Sequence, residues 1–425
     1  MTLSSADYDC IIVGGGLTGC VVASLLKQAN PALDVLLLEA GVDASNNPDI
    51  KTSPTLFSLL GSELDWSYLT TTFNLGGWSR GDRRDYDIWA KTAGDQRWGY
   101  EGLLPYFRRS GSFFDRAANP EHHENNPDDG SGDLSGVVEF LETWKGGQRQ
   151  AAYPANSLDS GRHFTARNEI ILAAGALRTP QLLMLSGIGP TDTLAKHGIS
   201  SLIGAPDVGR NLTDRFALYQ LYKLRSPERG LALGSPALSD PAITKGFPTD
   251  WIAAMRKDKE RLGSSTDESV LIPNRPLIET LVIYAPPGIP NGSHIMTSIM
   301  LLSVTSRGTA IITSSSPSAN SLVDSNYYDT ETDRVSLIYG ARRTAQALLE
   351  TTALKHYTEC KAPQLEMGMP APTSRSSDAE FAEFDARIRA TVVDASVLPV
   401  GIGGHPQATL YAVAEQAVDL IMGFI

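Results

Sequence analysis

The spacing of apolar positions changes several times along the chain, and each change marks an element. Cys10-Ile-Ile-Val13 is an unbroken apolar run that stops at Gly14-Gly-Gly-Leu-Thr-Gly19. Beyond it Leu17, Val21, Val22, Leu25 and Leu26 recur at helical spacing, and Val35-Leu-Leu-Leu38, ending in Glu39, reads as a second strand. The stretch 168–175 is a strand entering a turn of small residues. Thr179, Pro180 and Gly187 then supply an N-cap, a first helical position and a stop for a helix. Alternation over 277–284 and 295–304 predicts strands, and 336–349 and 407–424 predict amphipathic helices. Pro, Gly and Ser cluster at 117–136, 226–247, 263–276 and 285–293, which read as loops.

The first strand–turn–helix carries candidate chemistry. Gly14, Gly16 and Gly19 form a GxGxxG pattern between a predicted strand and a predicted helix, and Glu39 lies 20 positions beyond Gly19. Gly14 permits the tight turn, Gly16 lets the backbone approach a pyrophosphate, and Gly19 allows the helix to pack closely on the strand. The helix N-terminus offers free N–H groups to phosphates, and Glu39 can accept hydrogen bonds from a ribose. The bland alternative is a glycine-rich turn with no ligand. The unit alone does not choose between NAD and FAD.

The stretch Gly175-Ala-Leu-Arg-Thr-Pro-Gln-Leu-Leu-Met-Leu-Ser-Gly-Ile-Gly-Pro190 resembles the second signature of the glucose–methanol–choline (GMC) flavoprotein oxidoreductases, most of all the fungal branch. Residues 9–41, Leu64-Asp-Trp-Ser-Tyr68, Arg80 to Trp89, Trp98 to Phe107, Val208 to Asp214 and Ser303 to Gly308 resemble further landmarks in the family's order. Val392 to Pro399 and Gly404 to Tyr411 resemble its C-terminal flavin segment. The resemblance implies an α/β fold. A Rossmann-like FAD-binding domain would be assembled from 1–64, 137–215 and 385–425, with 65–136 as a connecting, substrate-side segment. A substrate domain over 216–384 would hold an antiparallel sheet and helices.

For the chemistry, the resemblance implies oxidation of an alcohol. A base removes the hydroxyl proton while hydride passes to the flavin, with oxygen or another carrier as final acceptor. His405 falls on the second position of the family's catalytic pair, and histidine suits a base because it titrates near neutral pH. Its alternative is a buried histidine with satisfied hydrogen bonds. Leu17 and Thr18 would lie near the pyrophosphate, Glu39 and Ala40 at the adenosine ribose, Asp394 and Ala395 along the phosphates, and Pro406 and Gln407 beside the isoalloxazine. Trp66 and Trp89 are read as packing residues. His122 and His123 read as solvated loop residues, and His163, His197, His294 and His356 have no motif around them.

The chain also departs from the family's pattern. Leu75-Gly-Gly77 passes directly to Trp78-Ser-Arg-Gly81, without the flavin-contacting segment expected between them, so FAD is expected to bind non-covalently. The region between Phe107 and Ile170 is compressed, with Gly136 to Leu141 as a candidate remnant strand. Arg375 to Val392 contains no histidine, so the first member of the catalytic pair has no counterpart. Whole blocks missing between intact flanks are what excised segments leave. A second reading follows: a non-redox or catalytically silent relative, of cyclase, dehydratase or binding type. A NAD-dependent dehydrogenase is a distant third, because the 175–190 signature has no role there.

Composition narrows the partners. The chain has 425 residues and a formal net charge of −12, with no basic stripe for a nucleic acid. Its 3 cysteines make no disulfide framework and show no metal spacing. No run is long enough to span a membrane and no secretory signal is seen, so a cytoplasmic protein acting on a small-molecule alcohol is expected, with no metal, nucleic-acid or membrane partner.

Overall fold

In the computed structural model the described residues are 6–41, 44, 47–48, 80–110, 112–113, 138–139, 153–154, 164–215, 217–230, 232–236, 251–255, 275–284, 291–317, 319–362, 395–396 and 405–423. Strand β1 (Ala6–Val13), helix α1 (Leu17–Ala29) and strand β2 (Val35–Glu39) form the expected βαβ start. Two strands extend this sheet, β5 (Tyr153–Pro154) beyond β2 and β6 (Phe164–Leu172) beside β1. All are parallel, in the order β5-β2-β1-β6. Such a sheet needs apolar cover. Val21, Val22 and Leu26 of α1 pack on Cys10 and Ile12, and Ala414 and Val418 of the last helix, α7 (Pro406–Met422), join the same cluster. The end of the chain therefore closes onto its beginning.

Helix α4 (Gly175–Leu185) starts earlier than the cap residues predicted. The Ala173 N–H reaches the Val13 carbonyl at 2.7 Å, and Gly175 turns the chain at φ +84. The helix thus begins directly after β6, and Thr179 and Pro180 lie inside it rather than at its N-terminus. The C-terminal stop is where it was expected, with Gly187 at φ +82 following Ser186.

Helices α2 (Arg83–Ala93) and α3 (Tyr100–Arg109) form a second block. Asp82 caps α2 by accepting from the Arg84 N–H at 3.0 Å, and Gly94 ends it in the left-handed region. Tyr86, Trp89, Leu103 and Phe107 bury themselves against Ala412 of α7, so Trp89 is a packing residue as read from the sequence.

The larger sheet is antiparallel, in the order β11-β12-β13-β10-β16. It comprises β10 (Ala217–Leu224), β11 (Trp251–Met255), β12 (Ile278–Ile283), β13 (His294–Leu301) and β16 (Thr358–Ala362). Helix α6 (Glu331–Glu350) covers one face, with Leu337 and Ala341 clustering with Ile278 and Ile299. The Thr280 and Thr344 hydroxyls meet at 3.1 Å beneath it. Side chains alternate across a strand, so Glu279 points to the other face. A third sheet, order β15-β14-β9-β17, holds β9 (Arg210–Asp214), β14 (Gly308–Ile311), β15 (Leu322–Asp324) and β17 (Ala395–Ser396). Two small pairs complete the strands: β3 (Ser112–Phe113) with β4 (Val138–Glu139), and β7 (Ile188–Gly189) with β8 (Ile203–Gly204). A short helix, α5 (Thr191–Lys196), lies between β7 and β8.

Candidate active site

The glycine turn is built by close approach. At Gly14, with φ +113, a Cβ would stand 2.3 Å from the Ala173 carbonyl oxygen, and at Gly19 it would stand 1.9 Å from the Gly14 carbonyl oxygen. Both are demanded by packing of α1 against β1 and β6. Gly16 differs: it is exposed, and a Cβ there would meet nothing within 4 Å. Its missing side chain leaves open room at the head of α1, the space a pyrophosphate needs. The residues present fit a dinucleotide.

Glu39 ends β2 beside this turn. Its carboxylate accepts from the Gly15 N–H at 2.5 Å and from the Gly41 N–H at 2.7 Å. Leu17 and Thr18 occupy the first turn of α1, and Ala40 is exposed just past β2.

The second half of the site is the head of α7. His405 is its N-cap residue in extended conformation (φ −72, ψ 133), and Pro406 sits at the first helical position with Gln407 after it. Tyr411, in the second turn, lies close enough to Cys20 for the thiol to act on its phenol, which burial chiefly pushes up. That proximity brings the start of α7 to the end of α1 where the glycine turn lies.

His405 does not stand alone. Its Nε2 is 2.9 Å from Oε1 of Glu279, with the two side chains 13% and 8% exposed. Because a carboxylate only accepts, the imidazole donates from Nε2, leaving Nδ1 as the nitrogen able to take a proton. Around the pair is a buried charge cluster. Arg275 bonds Asp85 of α2 at 2.5 Å, both side chains almost fully enclosed. Burial pulls the Arg275 guanidinium down, against the opposing effect of Asp85. Burial also pulls Arg215 down to about 10, opposed by Glu279, Asp85 and Asp214. Tyr86 accepts from the Gly81 N–H and shares a hydrogen bond with Thr409, both at 2.8 Å, and burial pushes its phenol up to about 12.

Of the residues named from sequence, the turn (Gly14, Gly16, Leu17, Thr18, Gly19) and Glu39 with Ala40 lie together, and His405, Pro406 and Gln407 share the head of α7. Ala395 lies in β17, paired with Asp214 of β9. Asp394, Trp66, His122, His123, His163 and the stretches 51–79 and 363–394 lie outside the described residues. Glu279, Asp85, Arg275 and Arg215 were missed. One signal existed: Glu279 is an acidic residue inside the apolar strand 277–284, and a charge in a buried strand has a partner or a task.

A glycine turn heading one helix, an acidic residue ending β2, and a carboxylate-held histidine at the head of a second helix define a dinucleotide-binding oxidoreductase. The sequence profile of the GMC oxidoreductases matches residues 144–217. The chain is 31% identical to the GMC-type oxidoreductase acuG of Aspergillus aculeatus, over 98% of this chain and 99% of that protein. That alignment runs over 525 positions against the 425 residues here, so whole stretches of the relative have no counterpart. Pyranose dehydrogenase 3 of Leucoagaricus meleagris is 24% identical over 98% of this chain and 93% of that one. Among solved structures, a formate oxidase from Aspergillus oryzae superposes with a TM-score of 0.80 at 20% identity, covering 100% of this chain and 99% of that one. The chain belongs to the GMC oxidoreductase family, whose cofactor is FAD. Among the described residues no helix is long and apolar enough to cross a membrane.

Proposed function

We propose that this chain oxidises an alcohol to the carbonyl compound, with His405 as the group that takes the hydroxyl proton. The observation that carries the reading is the buried His405–Glu279 pair at the head of α7. The flavin-binding residues would be Gly14, Gly16, Leu17, Thr18, Gly19, Glu39 and Ala40 toward the adenosine and pyrophosphate. Asp394 and Ala395 would line the phosphates, and Pro406 and Gln407 would lie at the ring. When bound, FAD supplies the acceptor for the hydride. The chain's own residues do the rest: Glu279 fixes the imidazole plane through Nε2, Nδ1 receives the proton, and the carboxylate balances the positive charge the ring acquires. The family's first histidine is absent, so one base acts where relatives use a pair. The segments proposed for the flavin domain are 1–64, 137–215 and 385–425, with 65–136 connecting and 216–384 on the substrate side. Oxygen or another carrier would reoxidise the flavin, and secondary metabolism is the proposed setting.

The test is the visible spectrum of the purified chain, before and after anaerobic addition of candidate alcohols. A flavin band that bleaches supports the reading. His405→Gln, which keeps an amide donor for Glu279 but has no basic nitrogen, should retain the band and lose bleaching rate by about 10² to 10⁴. Flavin should appear in the supernatant after denaturing precipitation, since the segment that would carry a covalent link is missing near residue 77. A bound flavin that no alcohol bleaches would favour the second reading, a non-redox relative, for which the missing histidine block speaks.

A further inference from the structure

The turn that leads into β13 is Asn291-Gly292-Ser293, and Asn291-Gly292 is the chain's single Asn-Gly pair. We propose that Asn291 is a self-modifying site: its carboxamide cyclises onto the Gly292 nitrogen with release of ammonia, and water then opens the ring to aspartate or isoaspartate.

The carboxamide is held as an electrophile. Its Oδ1 accepts from the Ser293 N–H at 3.1 Å and from the Ser293 hydroxyl. That hydroxyl has one proton, and it goes to Asn291. The 2.7 Å contact between Ser293 Oγ and His294 Nδ1 is therefore donated by the imidazole. The series runs from His294 through Ser293 to Asn291. When the carboxamide carbon is attacked, Oδ1 gains negative charge, and two donors already in place stabilise it.

The nucleophile is placed as well. The bond from the Ser293 N–H to Oδ1 folds the Asn291 side chain back over its own peptide to Gly292, bringing Cγ beside that nitrogen. The Gly292 N–H makes no hydrogen bond to a described residue, and neither does the Asn291 amide nitrogen that must leave. In the step, the Gly292 nitrogen gives its proton to hydroxide and its lone pair to Cγ. The Cγ–Nδ2 bond breaks, and the departing nitrogen takes a proton from water and leaves as ammonia. Asn291 is exposed, so water reaches the succinimide and breaks either of its C–N bonds. No oxidant or reductant takes part.

The product strains the fold. Gly292 is buried at φ +72, and a Cβ there would stand 2.5 Å from the Ser235 nitrogen, so this backbone is wedged against the 232–235 turn. Isoaspartate adds a methylene to the main chain at that point, directly ahead of the strand that pairs with both β10 and β12. The site involves no flavin, so its test is independent of the redox reading.

The experiment ages the full chain in mildly alkaline buffer, folded and in parallel unfolded in guanidinium chloride. Mass spectrometry of the peptide holding Asn291 follows conversion of amide to acid, and isoaspartyl methyltransferase labelling detects the isoaspartate. Conversion is expected to be faster in the folded chain than in the unfolded one, with a falling melting temperature as isoaspartate accumulates. Ser293→Ala should slow the folded rate about three- to tenfold, the worth of one hydrogen bond, and leave the unfolded rate unchanged. Far-UV circular dichroism of the fresh variant should match the parent; the comparison of folded with unfolded parent decides without it. Conversion no faster in the folded parent than in the unfolded one overturns the proposal, as does a folded Ser293→Ala chain that converts at the parent's rate.

Discussion

At the scale of single residues, the glycines of the first turn separate into two physical types. Gly14 combines φ +113 with a Cβ position 2.3 Å from a carbonyl oxygen, so no other residue fits without moving backbone. Gly16 has ordinary extended angles, φ −73 and ψ −167, and open space where a side chain would stand. Gly14→Ala should therefore destabilise the fold, by about 1–3 kcal/mol or more, in urea unfolding. Gly16→Val should leave the melting temperature of the flavin-free protein within a degree or two of the parent and abolish flavin retention on a desalting column. Equal loss of stability in both variants would remove the distinction between a structural and a ligand-facing glycine. The GxGxxG spacing was legible in sequence, but which glycine faces the ligand was not. That depends on where Ala173, 159 residues beyond Gly14, crosses the turn.

At the scale of elements, α2 is the staple of the site. Through Asp85 it holds Arg275, just ahead of β12, and through Tyr86 it holds Thr409 in the first turn of α7. One turn of helix thus fixes both strands of chemistry: the approach to the strand that carries Glu279 and the helix that begins with His405. Asp85→Asn would keep the shape and remove the carboxylate bonded to the enclosed Arg275 guanidinium, leaving Asp82 as a more distant acidic neighbour. Breaking one partner of such a buried pair costs about 3–5 kcal/mol. The expected outcome is a fall of that order in chemical denaturation. Unchanged stability would mean that water or another acceptor replaces Asp85. The aromatic cluster of Tyr86, Trp89 and Phe107 buries the same helix, with Tyr86 and Phe107 rings 5.4 Å apart and nearly edge-on.

At the scale of the whole molecule, the larger sheet carries a cost on its edge. Lys361 of β16 sits opposite Tyr222 of β10, its ammonium 5.9 Å from the Tyr222 ring centre. Burial brings Lys361 down to about 7 from its ordinary value near 10.5. Its folded-state value lies below its unfolded one, so the unfolded chain holds more protons between about pH 7 and 10.5. The penalty is complete below the folded value and is relieved as pH rises through that window. Lys361→Met should therefore stabilise the chain by about 1–3 kcal/mol at pH 6, with the gain shrinking toward pH 10. Urea unfolding at the two pH values measures it. A gain that does not depend on pH would mean the lysine titrates normally.

What the sequence determined by itself was everything carried by neighbours in the chain. The βαβ start, the strands at 277–284 and 295–304, the closing helix and the family signature depend on apolar spacing and local turns, and those are written in consecutive residues. The head of α4 shows where local signals stop: Thr179 and Pro180 make a fair cap on paper. The bond from Ala173 to Val13 and the turn at Gly175 start the helix earlier all the same. The candidate site divides in the same way. His405 could be named from the motif around it. Its partner Glu279 could not, because 126 residues separate the two and only the folding of β12 under α7 brings them to 2.9 Å. Asp85, Arg215 and Arg275 meet for the same reason. Side-chain chemistry is local and sequential, but electrostatic partnership falls with distance through space, and the tertiary structure alone sets that distance.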